Sequence, residues 1–85
     1  MNKTIGKVID IYIQKQYKNN NLLDVMDRTN ITFKIMTNDG LKEVTVEQNE
    51  ENATIMKNDL VEIIEQTISG ENFVDIRLYG GEDNE

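Results

Sequence analysis

Two stretches of alternating apolar and polar residues meet at the turn sequence Asn38-Asp39-Gly40. Before the turn, Ile31, Phe33 and Ile35 alternate with Thr32, Lys34 and Met36; after it, one parity holds Lys42, Val44 and Val46, and the other holds Leu41, Glu43, Thr45 and Glu47. Period-two alternation is typical of strands with one buried face. Gly can adopt the positive φ of a tight turn at no steric cost. The pattern therefore predicts an antiparallel β-hairpin over 31–47.

The segment from Ile5 to Ile13 also alternates. Ile5, Ile9, Ile11 and Ile13 share one parity, which is interrupted only by Lys7. Since β-branched residues favour strands, the segment is predicted to be a strand with one buried face. Gly6 near its start indicates a bulge or a tight bend.

Residues 15–30 are mostly polar but contain an apolar group at Leu22, Leu23, Val25 and Met26. A connection of this length without secondary structure is uncommon in a compact domain. Two structures account for it: a short helix over 22–27, or a first strand that continues past Tyr17 into a long hairpin with the Asn19–Asn21 triplet at its tip.

The segment 53–68 fits two periodicities. At helical spacing, Ala53, Met56, Leu60, Ile63, Ile64 and Thr67 form one stripe. At period two, a turn at 57–59 precedes a strand. The Val-Glu-Ile-Ile run favours the strand, and Asn58-Asp59 would disfavour a helix because both side chains compete for backbone hydrogen bonds. We predict the strand, with a helix at 53–66 as the alternative.

A turn at 69–72 and a strand over Phe73–Tyr79 complete five evenly spaced strands. The predicted fold is mainly β, a small five-stranded antiparallel barrel of oligonucleotide-binding (OB-like) or SH3-like type. The alternative is an α+β domain with the helix at 53–66. Residues 1–80 are expected to form one domain, followed by a flexible acidic tail at 81–85. The Thr37–Gly40 turn and the segment Met56–Ile63 are similar to those of many small bacterial barrels, which usually have Gly at the position of Asn58.

The chain of 85 residues contains neither Cys nor His. Thiolate zinc sites, Cys nucleophiles and Ser-His triads are therefore impossible, and the commonest general base and metal ligand are absent. We predict no catalytic, metal or cofactor site, and a protein that is not an enzyme. The lack of Cys, of a signal peptide and of a membrane span predicts a cytoplasmic location and no membrane partner. The Asn-rich composition indicates an AT-rich genome, of a bacterium, phage or mobile element.

The net charge of −7 is unevenly distributed. Residues 1–36 carry six basic and three acidic side chains, whereas residues 37–85 carry three basic and thirteen acidic ones. Our leading hypothesis is a protein-interaction or accessory module whose acidic half meets a basic surface of another protein, since complementary charge steers association. The candidate protein-binding residues are Glu43, Glu47, Glu62 and Glu65.

The alternative hypothesis uses the basic first third of the chain. Stacking rings combined with phosphate-pairing cations are the recipe for binding single-stranded nucleic acid on an OB-like barrel. The candidate nucleic-acid-binding residues are Lys7, Tyr12, Lys15, Tyr17, Lys18 and Arg28. The sequence does not indicate an oligomeric state.

Overall fold

Five strands in a single antiparallel sheet make up nearly all the secondary structure. The computed structural model describes the backbone of residues 1–20 and 23–80, with side chains at 1–15 and 28–80. The strands are β1 (Asn2–Asn20), β2 (Leu23–Thr37), β3 (Gly40–Glu47), β4 (Leu60–Ile68) and β5 (Glu71–Leu78), and one turn of 3₁₀ helix (Asn52–Thr54) follows β3. The sheet order is β3-β2-β1-β4-β5. The prediction of a mainly β fold with five antiparallel strands is confirmed.

The sheet is curled but not closed. Its two edge strands, β3 and β5, contact each other, and no hydrogen-bonded ladder joins them within the described residues. Among those residues, no helix is long and apolar enough to cross a membrane.

The predicted turns are confirmed and depend on positive φ angles. In the β2–β3 turn, Gly40 has a φ of 112°, and the Thr37 hydroxyl donates to its carbonyl oxygen at 2.8 Å. In the β4–β5 turn, Ser69 and Gly70 have φ angles of 53° and 83°. Two consecutive positive φ angles suit a two-residue hairpin because their twist matches that of the flanking strands.

Beyond Tyr17, β1 and β2 continue as a two-stranded ribbon. β1 ends at Asn20 and β2 begins at Leu23, as the long-hairpin interpretation of 15–30 required. The short helix predicted as the other interpretation, at 22–27, is wrong over 23–27, because these residues pair with β1 and the register places Met26 opposite Tyr17. Leu22, the Asn21 end of the predicted tip and the predicted tail at 81–85 lie outside the described residues.

The alternative helix at 53–66 is also wrong. Only Asn52–Thr54 is helical, and β4 starts at Leu60. Asn58 adopts a φ of 78°, which a helix does not permit, and its N–H donates to the Val8 carbonyl at 2.7 Å. The Asp59 carboxylate accepts the Met56 N–H at 2.8 Å. The positive φ of Asn58 turns the chain into β4, which starts two residues later.

One face of the sheet, the inner face, supplies the core. Its fully or nearly fully buried side chains come from all five strands, and Ile55 joins them from the loop before β4. They are Val8, Ile31, Phe33, Ile35, Val44, Val61, Ile63 and Ile76.

A bulge in β1 changes which of its side chains face the core. Val8 pairs with Ile35 and Asp10 with Lys34, so Ile9 is the extra residue. Val8 is buried, whereas Ile5 and Ile13 are largely exposed. The shared parity of Ile5 to Ile13 was therefore a poor guide to the buried face, because one extra residue exchanges the two faces of a strand.

Candidate protein-binding surface

Four side chains form a row across the outer face of the sheet, which is opposite the core. The register aligns Leu41 of β3 with Met36 of β2, Met36 with Lys7 of β1, and Lys7 with Leu60 of β4. We call these four residues the outer row. Leu41, Met36 and Leu60 are 55%, 48% and 52% exposed, and Lys7 is also exposed.

The position of the outer row is fixed by close backbone packing at one end of the sheet. A Cβ on Gly6 would lie 2.5 Å from Ile35 Cγ2 and 2.7 Å from the Met36 oxygen, so only glycine allows β1 and β2 to approach this closely. The Val8 N–H donates to the Asp59 oxygen at 2.9 Å, which holds the start of β4 against β1. Leu60 is thereby placed beside Lys7.

The outer row continues toward β5 through the backbone of Tyr79. The Tyr79 N–H donates to the Leu60 carbonyl at 2.9 Å, and the Tyr79 side chain is about as exposed as that of Met36. Exposed apolar side chains thus lie on both sides of Lys7, from Leu41 in β3 to Tyr79 just after β5. Exposed apolar side chains that are grouped on one surface are characteristic of interaction sites.

Lys7, like Lys3, Lys15 and Lys57, has no ionic partner among the described residues, whereas three other cations do. Three ion pairs join neighbouring or facing strands. The distances are 3.9 Å from Lys34 Nζ to Glu43 Oε2, 3.2 Å from Lys42 Nζ to Glu65 Oε1, and 3.2 Å from Arg77 Nη2 to Glu62 Oε1. Lys7 has instead two apolar cross-strand neighbours, Met36 and Leu60. Its ammonium is available to an external acceptor.

Next to the outer row on the same face lies a polar network around Tyr12. The Tyr12 hydroxyl donates to the Asp10 carboxylate at 2.9 Å, and Lys34 Nζ lies 5.4 Å from the centre of the ring. The hydrogen bond from Tyr12, followed by the Ile11 N–H and by the charges of Lys57 and Lys34, holds the pKa of Asp10 below its ordinary value of 3.8. Asp10 is therefore a carboxylate at neutral pH.

The four glutamates proposed as a protein-binding face do not form one surface. Glu43 and Glu47 share the outer face of β3, and Glu43 pairs with Lys34. Glu62 is on the outer face of β4, where its carboxylate is held by Arg77. Glu65 is on the inner side of β4 and is bonded to Lys42.

The basic and aromatic residues proposed for nucleic-acid binding are also dispersed. Lys7 belongs to the outer row, Tyr12 is engaged with Asp10, and Lys15 lies on the opposite side of β1 from Tyr12. Tyr17 and Lys18 belong to the ribbon, where the structure describes the backbone alone. Arg28 is exposed on β2 at the base of the ribbon.

Sequence reasoning did not select Met36, Leu41 or Leu60 as site residues. A signal was present for Met36 and Leu41, because each stands on a parity that otherwise carries polar residues, but not for Leu60, whose parity also holds Ile64 and Ile68. An apolar residue on the solvent face of an alternating strand is a candidate contact residue. The register was needed to see that the three form one row with Lys7.

Ligand-holding features are sparse in the part of the chain that the structure describes. No group of three or more Asp, Glu, Cys or His side chains is arranged to hold a metal ion there. Two surface depressions of about 530 and 560 Å³ share Met1, Gln66, Phe73 and Val74. In the first, Glu65 is the sole carboxylate of the lining, and it is already paired with Lys42.

Comparisons of the chain with protein-family models, with curated proteins and with solved structures found no match.

Proposed function

We propose that this chain is a non-enzymatic interaction module that binds another protein through its outer row. The observation that carries the proposal is the alignment of Leu41, Met36 and Leu60, each about half exposed, on one face of one sheet. Burying apolar surface stabilises an interface by roughly 25 cal/mol per Å². Grouped apolar side chains left in water lower solubility without stabilising the fold, and a binding role accounts for their presence.

The core does not depend on the outer row. The inner face already buries nine apolar side chains from all five strands and the loop before β4. The row residues pack on no second layer in the described structure. They are therefore free to contact a partner. The strands that carry them are paired within the sheet, so binding needs little ordering of the backbone.

We further propose that the curled sheet is a barrel of OB-like type. The strand order β3-β2-β1-β4-β5, with β3 against β5, is the order of a five-stranded Greek-key barrel of that type. An ion pair between inner-side residues supports closure: Lys42 of β3 reaches Glu65 of β4 at 3.2 Å. The SH3-like version of the barrel has no comparable support.

Site-specific photo-crosslinking in cells of the source organism tests the interaction. A photoreactive amino acid at position 41, in the outer row, should capture a discrete partner. The photoreactive amino acid at position 68 is the control, because Ile68 also lies on the outer face of β4 and is 52% exposed. Crosslinks of equal yield and identity from both positions would contradict the proposal.

Single-strand binding is the second candidate function, and the OB-like strand order favours it. The local charges oppose it, because Asp10 and Glu43 accompany Tyr12 and Lys34 on the outer face. Fluorescence anisotropy with a labelled oligothymidylate distinguishes the two. We expect no binding at about 50 mM salt; micromolar binding that weakens steeply with salt would replace the protein-interaction proposal.

A further inference from the structure

We propose that the partner presents an extended segment with the pattern apolar-x-acidic-x-apolar, whose carboxylate pairs with Lys7. This inference rests on the proposed function and specifies its partner. It follows from the position of Lys7 between Met36 and Leu60 in the outer row.

A partner that covers both Met36 and Leu60 must also cover Lys7. Burying an ammonium without a counter-charge is costly, whereas a partner carboxylate would satisfy it. Lys7 has no ionic partner of its own among the described residues that could serve instead. The chemistry of the row therefore selects a segment with apolar groups on both sides of an acidic one.

The spacing of the row fits alternate side chains of an extended segment. Neighbouring strands are about 4.8 Å apart, so the row spans about 14 Å from Leu41 to Leu60. Alternate side chains on one side of an extended segment are about 6.6 Å apart. With the acidic residue over Lys7, one apolar neighbour reaches Leu60 and the other lies between Met36 and Leu41.

The same charge argues against two other occupants. A basic partner would bring a second cation to Lys7. A second copy of this chain, docked row on row, would bring two Lys7 side chains into one apolar interface. Like charges brought together in an apolar interface oppose association.

A displayed-peptide selection tests the proposal with two libraries, one with Asp or Glu and one with Lys or Arg at the centre of the apolar-x-charge-x-apolar pattern. Wild-type protein should enrich the acidic library alone. Lys7→Gln should lower the affinity of the protein for the selected peptides about tenfold or more. Lys3→Gln is the matched control, because Lys3 is exposed on the same side of β1. Lys7→Glu should reverse the selection toward the basic library.

The outcomes separate this inference from the proposed function. Peptides that lose binding with Leu60→Gln but not with Lys7→Gln would overturn the acidic-partner inference and retain the outer row as a binding surface. Equal binding of the peptides to Leu60→Gln and Ile68→Gln would contradict both the acidic-partner inference and the proposed function. Self-association by analytical ultracentrifugation that is lost in Leu60→Gln would identify a second copy as the occupant and would overturn the inference.

Discussion

Lys42 Nζ lies 3.2 Å from Glu65 Oε1, although β3 and β4 are separated in the sheet by β2 and β1. Lys42 pairs with the buried Ile35, and Glu65 shares a parity with the buried Ile63, so both residues belong to the inner side. The contact therefore crosses the inner side of the curled sheet. Its distance shows how closely β3 approaches β4.

A double-mutant cycle of Lys42→Met and Glu65→Gln should give a coupling energy of about 0.2–1 kcal/mol. The value is small because both side chains are more than one-third exposed to solvent. Urea unfolding at low salt measures it. A control cycle of Lys57→Met and Glu65→Gln should give no coupling. A Lys42–Glu65 coupling as small as the control would show that the strand ends do not meet in solution.

Gly6→Ala should lower the free energy of unfolding by about 1–3 kcal/mol, because overpacking forces the surrounding groups apart. The added methyl group would meet a buried side chain and a carbonyl oxygen of β2 at 2.5 and 2.7 Å. Lys7→Ala, at the next and exposed position, should change stability by less than about 0.5 kcal/mol. Equal effects of the two substitutions in chemical denaturation would contradict the close packing of β1 on β2.

Asn58→Gly should raise the stability of the fold by up to about 1 kcal/mol, because relief of the steric cost of a Cβ at positive φ exceeds the added backbone entropy of Gly in the unfolded chain. Asn58 has a φ of 78°. The same substitution at Lys57, which is not among the residues with positive φ, should be destabilising. Thermal unfolding of the two variants provides the comparison, and a lower melting temperature for Asn58→Gly would be the contrary result.

Asn52→Ala should cost about 1–3 kcal/mol, because it leaves buried polar groups without partners. Asn52 is 1% exposed. Its side chain accepts the Asn49 N–H at 2.9 Å and donates to the Glu47 oxygen at 2.9 Å. Asn72→Ala is the matched control, since Asn72 is exposed and bonded to Thr67. If both variants unfold at the same urea concentration, Asn52 does not organise the loop between β3 and β4.

The Asp10 carboxyl should titrate below 3.8 in a carbon-detected NMR experiment, since the Tyr12 hydroxyl and the Ile11 N–H bond its charged form. A carboxyl whose pKa is lowered by folding stabilises the fold above its unfolded pKa and stops doing so as the pH falls through the lowered value. Tyr12→Phe should move the pKa of Asp10 back toward its ordinary value. An unchanged titration in Tyr12→Phe would exclude that hydrogen bond as the main cause.

The strands could be predicted from the sequence where local chemistry determines them. The hairpin at Asn38–Gly40 combines alternation with a residue that suits a positive φ, and each is a local property. The β-branched residues of 60–68 and the helix-disfavouring Asn58-Asp59 pair predict a strand there. Those interpretations needed no knowledge of the rest of the chain.

The buried face of β1 could not be predicted in the same way. The bulge at Ile9 lies three residues beyond Gly6, where the sequence suggested one. It coincides with hydrogen bonds between Val8 and the 58–59 segment. Because that pairing joins residues fifty positions apart, alternation within β1 carries no information about it.

The candidate site needed the strand order as well as the residues. Glu43, Glu62 and Glu65 are prominent in the sequence, yet each has a cationic partner on another strand. The outer row draws one residue from each of four strands. No spacing along the chain reveals such a row until the register of all four strands is known.

The most direct measurement compares the affinity of Leu60→Gln and Ile68→Gln for the partner captured by crosslinking. Both residues are on β4 with side chains 52% exposed, so both variants should fold with unchanged stability within about 0.5 kcal/mol. Calorimetric titration should show binding weakened tenfold or more, by about 1.4 kcal/mol, in Leu60→Gln. Ile68→Gln should bind like the wild type. Equal affinity of the two variants would contradict the outer row as the binding surface.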